Sequence, residues 1–428
     1  GAMIIPSRTS APRILGLLDI GTSKVACLIV ALDPRGPSIL PGMRTPFRVL
    51  GIGHQRSRGL KAGVITDLEE AEVAVRAAVD QAEQMAGVTL GEVYVSVACG
   101  RLRSEVFAAN ADVATGVVGD EDVARVLEGG RAYAERDGRM LVHMNRIAIR
   151  LDGAPGGGDP RGLAAHRLTA DLHAVTADDA PVRNLLLLVE RCHLDVAGLV
   201  VAPYASALAA TSVEERRLGV TVLDIGSGTT SVAIFADGAF IDAETIPVGG
   251  GHMTFDIARG LQAPLADAER IKALYGTLVP APSDEHESFS YPLAGEADGT
   301  LHQSTKARLA EILRPRVSGL IGLVRERLDA SGMADFAGDR VVLTGGASQV
   351  IGLGEHVANL LGRRVRVSGP DAASALPSGL MAPSFATVIG LVAAAAAGEG
   401  LVAAHRDRAR LAQSYLGRVG QWLRYGLE

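Results

Sequence analysis

Apolar positions along this chain follow two rhythms, and the changes between them mark out its elements. From 14 to 30 they run almost unbroken, interrupted by Asp19 and a Gly21-Thr22-Ser23-Lys24 turn, which predicts two strands joined by a tight loop. The stretch 222–234 repeats the unit: strand, Asp224, Gly226-Ser227-Gly228-Thr229-Thr230, strand. Further strands are predicted at 47–54 and 93–98, with a basic loop at 57–63. Between 67 and 86 the spacing turns helical: Leu68, Ala71, Val75, Ala78, Val79, Ala82 and Met85 share one face. Asp67, with Glu70 three residues on, has capping-box spacing, and Gly87 supplies a stop.

From 101 to 171 the texture changes. Strands at 104–109, 140–151 and 168–175, a helix at 120–136 and a Gly/Pro loop at 153–162 predict a compact α+β insertion. It is either a decoration or a contact surface. A helix at 178–192 starts on Asp179 and Pro181, and a strand follows at 196–201. The stretch 203–211 (PYASALAAT) is a helix of small residues, either an ordinary Ala-rich helix or one that lets a second backbone come close. Beyond the second loop come a strand at 239–247, a flexible Gly249-Gly250-Gly251 turn and helices at 253–260 and 264–275. A polar loop around a short strand is expected at 280–304, then a long helix at 305–329 with Pro315 as a kink point. A strand at 340–346 ends in Gly345-Gly346. A helix at 353–361, a strand at 365–367 and a second small-residue helix at 384–398 complete the body.

Composition narrows the class. The chain has 428 residues, 48% hydrophobic and only 4% aromatic, so it is long enough for several domains with aliphatic, Ala-rich cores. A net charge of −6 argues against bulk nucleic-acid binding. Cys27, Cys99 and Cys192 are scattered, giving neither a disulfide framework nor a zinc site and fitting a reducing compartment. No apolar run reaches the ~18 residues of a membrane span. The start lacks a signal-peptide pattern, and Gly1-Ala2 ahead of Met3 looks like a tag-cleavage scar.

The repeated hairpin carries the chemistry. Glycines in such a turn let phosphate oxygens approach backbone N–H groups, and a preceding carboxylate can hold Mg²⁺ through water. One D-x-G turn is common as mere turn geometry. Two copies of the whole strand–loop–strand unit predict two related halves sharing a cleft. The strand–Gly-Gly–helix unit at 340–361 adds a third nucleotide-type edge.

These three motifs in this order resemble the actin-like ATPase superfamily, over almost the entire chain. The resemblance implies an α/β fold of two duplicated ribonuclease-H-like halves around a nucleotide cleft. It further implies ATP and Mg²⁺ as cofactors, with phosphates at Gly21, Thr22, Ser23, Lys24, Gly226, Ser227, Gly228, Thr229 and Thr230. Asp19 and Asp224 would orient the waters of Mg²⁺, and Gly345, Gly346 and Ala347 would lie at adenosine. Within the superfamily the chain looks most like the FtsA family of bacterial cell-division proteins. The segments 18–25 (LDIGTSKV), 57–69 (SRGLKAGVITDLE), 80–87 (DQAEQMAG), 189–194 (VERCHL), 342–353 (VLTGGASQVIGL) and 416–424 (LGRVGQWLR) carry that match. Arg314 departs from it, standing where that family commonly has an acidic residue. The family implies Glu269 and Lys272 near the ribose, otherwise ordinary helix-surface charges. Lys306 would contact the FtsZ C-terminal tail, otherwise remaining a solvated lysine. Expected domain boundaries are 1–100 and 172–210 for the first half, interrupted by the insertion at 101–171. The second half has its core at 211–261 and 331–380 and an outer subdomain at 262–330. A connecting helix at 381–398 returns to the first half, and a linker spans 399–410.

The last segment, 411–427, is an amphipathic helix. Leu411, Tyr415, Leu416, Val419, Trp422 and Leu423 fall within one arc, with Arg418 and Arg424 opposite. Arg406, Arg408 and Arg410 precede it in an otherwise acidic chain. This is the pattern of a helix lying in a membrane surface, the alternative being one docked on the body. Together these readings imply a peripheral protein of the cytoplasmic face of the bacterial inner membrane at the division site. It would self-assemble into filaments, bind anionic lipid and other division proteins, and tether FtsZ, with at most weak ATPase activity. A sugar kinase of the same superfamily and a pilus-assembly relative are the alternatives.

Overall fold

Two hairpins of identical register sit at the heart of two five-stranded sheets. The computed structural model describes residues 12–33, 43, 46–370 and 376–397. The first half holds β1 (Arg13–Ile20), β2 (Lys24–Leu32), β3 (Phe47–Arg56), the two-residue β4 (Leu60–Lys61) and β5 (Val64–Ile65), α1 (Leu68–Ala86) and β6 (Glu92–Val97). The insertion follows as β7 (Arg103–Asp112), α2 (Asp120–Ala134), β8 (Met140–Leu151), β9 (Ala154–Pro155) and β10 (Arg167–Ala177). Then come α3 (Asp179–Arg191), β11 (Asp195–Val201), α4 (Ala202–Ala210) and α5 (Val213–Leu218). The second half has β12 (Val220–Ile225), β13 (Thr230–Ala236), β14 (Ala239–Ile246), α6 (Gly250–Leu261) and α7 (Leu265–Tyr275). It continues with β15 (Ser288–Pro292), β16 (Leu301–Thr305), α8 (Lys306–Ser331), β17 (Arg340–Thr344), α9 (Leu353–Leu361), β18 (Arg364–Val367) and α10 (Ala386–Ala396).

The duplication is topological. One sheet runs β3-β2-β1-β6-β11 and the other β14-β13-β12-β17-β18. In each, three strands form an antiparallel meander and two more are added in parallel. Asp19 pairs with Ala26 in the first hairpin, and Asp224 with Ser231 in the second. The apolar runs 25–32 of β2 and 232–236 of β13 follow from burial of the sheets on both faces.

Local signals act as their chemistry requires. The Asp67 side chain accepts the Glu70 N–H, and Gly87 closes α1 in the left-handed region. Met85, at the end of the expected apolar stripe, is exposed. Pro315 is absorbed inside an uninterrupted α8. Two expectations are corrected. The stretch 280–304 is a β15–β16 hairpin behind a short 3₁₀ turn, its Phe289 and Tyr291 buried. Gly249-Gly250-Gly251 is a helix start: α6 begins at Gly250. The insertion forms its own sheet, β7-β10-β8-β9, whose strand β10 runs through position 171 to Ala177.

The halves meet where α10 packs on α4. A Cβ on Gly390 would lie 1.6 Å from the Ala205 carbonyl oxygen, so the helices cross in backbone contact. That is the role small residues allow at both segments. Gly390→Ala is expected to cost about 2–3 kcal/mol by overpacking. Gly322→Ala, on the exposed side of α8 with open space around it, should gain up to about 1 kcal/mol. Urea denaturation of both variants checks the pair.

Candidate functional site

The two hairpin turns face each other across a cleft of about 450 Å³. Gly21 N–H bonds the Lys24 carbonyl at 2.9 Å, and Gly226 N–H bonds the Thr229 carbonyl at 3.0 Å. These amides close the turns, so the two glycines serve the cleft by shape. The loops touch: a Cβ on Gly228 would stand 2.3 Å from the Thr22 hydroxyl oxygen. Thr22 Oγ1 also accepts the Gly63 N–H at 2.8 Å, drawing the basic loop to the cleft wall.

The glycine triplet anchors the second turn from behind. Gly250 and Gly251 N–H groups bond the Gly226 and Ser227 carbonyls, each at 2.7 Å. A Cβ on Gly249 would lie 2.3 Å from the Gly226 carbonyl oxygen. Close approach, and not flexibility, explains this run. Thr230 is fully buried and donates to the Val248 carbonyl at 2.8 Å, which makes it a brace behind the turn.

Three charges meet in the cleft. Asp19, at the end of β1, accepts from Ser96 Oγ at 2.6 Å. Asp224, at the matching point of β12, accepts from Thr387 Oγ1 at 3.1 Å. Burial raises both carboxyls, against the favourable Ser96 contact and Lys24 at Asp19, and Asp224 reaches about 6 with Asp19 adding to the rise. Burial lowers Lys24, while both aspartates hold it up. The Lys24 ammonium donates to the Ser384 carbonyl and lies 3.8 Å from the Phe385 ring centroid. Two desolvated carboxylates sharing one ammonium form an oxygen-rich site short of positive charge, suited to a hard divalent cation.

The third wall is the turn after β17. Gly345 has φ +89°, its N–H bonds the Pro383 carbonyl at 3.1 Å, and a Cβ there would strike Asp224 Oδ1 at 2.4 Å. Gly346 and Ala347 line the cleft beside it. Glu269 and Lys272 reach the cleft from α7. Lys272 pairs with Glu269 at 3.2 Å and donates to the Gly250 carbonyl at 3.0 Å. Arg314 points elsewhere, bonding the Leu278 carbonyl at 2.9 and 3.1 Å. Lys306 lies on α8, paired with Glu287 at 3.1 Å and Asp284 at 3.9 Å. Ser96, Ser384 and Thr387 are cleft residues that the sequence reading missed; single hydroxyls at a strand end or helix start carry no motif. Leu411, Tyr415, Leu416, Arg418, Val419, Trp422, Leu423 and Arg424 lie outside the described residues.

This architecture, two duplicated sheets around a glycine-walled cleft, defines an actin-like fold. Solved structures agree in fold. The PilM-PilN type IV pilus biogenesis complex aligns with TM-score 0.63 at 18% identity, over 89% of this chain and 98% of that one. MreB5 of Spiroplasma citri bound to ADP aligns with TM-score 0.51 at 14% identity, over 89% and 96%. Sequence relatives are more specific. The profile for cell division protein FtsA matches residues 221–390, and that for the SHS2 domain inserted in FtsA matches 99–176. Cell division protein FtsA of Rhizobium meliloti is 40% identical over 98% of this chain and 96% of its own length. That of Escherichia coli K12 is 31% identical over 88% of each. The chain belongs to the FtsA family of cell-division proteins.

Gly345→Ala puts a methyl group into a left-handed backbone and against Asp224. It should lower the midpoint of thermal unfolding by several degrees, whereas Gly346→Ala, with ordinary contact distances, should leave it nearly unchanged; differential scanning fluorimetry compares the two.

Proposed function

We propose that this protein binds Mg²⁺-ATP between its halves and uses the nucleotide-bound shape to assemble on the cytoplasmic face of the inner membrane, where it tethers FtsZ. The observation that carries the nucleotide reading is the pair of identically registered hairpins bringing Asp19 and Asp224 together opposite Gly345. Thr22, Ser23, Lys24, Ser227, Gly228 and Thr229 would receive the phosphates. Asp19 and Asp224 would hold Mg²⁺ through its waters, and the ion would supply the positive charge that these carboxylates lack. Gly345, Gly346 and Ala347 would accommodate adenosine, with Glu269 and Lys272 at the ribose. Structural change then follows from differential affinity: ATP bridging both halves favours the shape in which both loops reach it.

The membrane reading rests on the sequence of 411–427, whose apolar arc and flanking arginines suit an anionic lipid surface. One such helix binds lipid weakly, and a filament presenting many binds strongly through effective concentration. Lys306, near Glu287 and Asp284, is the candidate contact for an acidic FtsZ tail, which would have to displace those carboxylates. Among the described residues no helix is long and apolar enough to cross a membrane.

Asp224→Ala is expected to weaken Mg²⁺-ATP binding at least tenfold by calorimetry; unaltered affinity would remove Asp224 from the site. Trp422→Glu should release the protein from anionic vesicles in flotation while ATP affinity stays constant. Retention on vesicles would overturn the role of the C-terminal segment.

A further inference from the structure

The duplication places a hydroxyl beside each cleft aspartate, and the two hydroxyls are used differently. In the first half β6 runs parallel to β1, and Ser96 of β6 donates to Asp19 Oδ1 at 2.6 Å. In the second half β17 runs parallel to β12, and the residue paired with Asp224 is Thr344. Thr344 is fully buried, yet its hydroxyl turns to the Pro383 carbonyl at 3.4 Å. Asp224 is served by Thr387, whose Oγ1 donates to Asp224 Oδ2 at 3.1 Å. Thr387 is the second residue of α10, a helix whose Val388, Ile389 and Leu391 share a core with Leu15, Leu17 and Leu28 of β1 and β2. The hydroxyl that holds Asp224 therefore comes from the opposite half. We propose that Thr387 is the positioning residue for Asp224, fixing this carboxylate for a divalent cation in a way that requires the two halves to be in contact. This rests on the reading of the cleft as a Mg²⁺-ATP site.

Local chemistry leaves Thr387 free for that task. A helical threonine can give its hydroxyl to the carbonyl four residues back. For Thr387 that carbonyl belongs to Pro383, which already accepts the Gly345 N–H at 3.1 Å and the Thr344 hydroxyl. Both oxygens of Asp224 are then confined. Oδ2 takes the Thr387 hydroxyl, and Oδ1 lies against bare Gly345, where a Cβ would stand 2.4 Å away. Ser206 of α4 also reaches Asp224, but it shares its one proton with the Ala202 and Pro203 carbonyls at 3.0 and 3.3 Å.

A carboxylate already held in one orientation loses less freedom when it binds a hydrated cation. Removing the partner that orients a metal ligand costs about tenfold to a hundredfold in affinity. Asp19 keeps its hydroxyl whatever the second half does, because Ser96 lies in the same sheet. Asp224 keeps its own only while the crossing of α4 and α10 at Gly390 holds α10 against β12. The symmetric pair of carboxylates thus has one member whose geometry depends on the junction.

Calorimetric titration of ATP into the full chain, once in Mg²⁺ and once in EDTA, gives the ratio of the two affinities. Wild type should bind more tightly in Mg²⁺. Thr387→Val keeps the shape and loses the donor, so the ratio should fall about tenfold while the EDTA affinity changes less than about twofold. Thr387→Ser keeps the donor and should restore the ratio. Thr344→Val removes the hydroxyl that turns away and should keep the wild-type ratio. A wild-type ratio in Thr387→Val, an equal loss in both buffers, failure of Thr387→Ser to restore the ratio, or the same loss in Thr344→Val overturns the proposal. Where Thr387→Val does not fold, Thr387→Cys, a weaker donor of similar size, is read in the same way. Equal affinities in the two buffers for wild type would sink the Mg²⁺ reading itself, and this assignment with it.

Discussion

The backbone contact between α4 and α10 is the constraint on which the rest of the molecule depends. The two sheets are separate layers whose buried residues join in one cluster, reaching from Val25 and Val95 to Val222 and Ala233, and their connecting helices cross at Gly390 with no side chain between them. Larger residues there would push the helices apart and carry Asp224 away from Thr387, which lies on α10 three residues before Gly390. The geometry of the charged site and the packing of the junction are therefore one problem. This explains why a helix as apolar and small-sided as α10 is buried among residues of the first half while its first turn contributes a hydroxyl to the second.

That coupling extends to the electrostatics. Asp19 and Asp224 come from strands in different halves, and their mutual repulsion exists only when the halves are held together. Lys24 offsets part of it, but its own desolvation works against the charged form. A cleft built this way is stabilised by whatever supplies cationic charge between the carboxylates. Assembly of the halves and occupancy of the site are linked by the same Coulomb energy, without any special transmission pathway.

Much of this was legible in the sequence, for identifiable reasons. The hairpins announce themselves because strands buried on both faces are continuously apolar, and an acid followed by glycines interrupts them sharply. Their repetition then identified the duplication, which the matching strand orders express in full. The outer sheet hairpin at β15–β16 was missed because its alternation is short and its residues mostly polar. The glycine triplet was misjudged because three glycines ordinarily mean freedom, whereas here each N–H or bare Cα meets the turn carrying Gly226 and Ser227. Ser96 and Thr387 could not be found: their roles come from tertiary neighbours on other strands and helices.

The insertion shows the same limit in its strongest form. Its strands could be placed from alternation, but alternation does not say which polar residues point inward. His143, Asn145 and His173 look like the solvated face of a sheet and are instead enclosed against β14. An exposed outer strand invites pairing with another chain, and covering it is a general need of sheet proteins. A backbone ladder would have merged the insertion into the second sheet permanently. Side-chain bonds cover the same edge with fewer and more geometry-dependent contacts, Ser104 accepting from Ala243 and Asn145 donating to Phe240. The consequence is a joint that satisfies the edge by side chains, placed between a subdomain connected to one half and a strand belonging to the other.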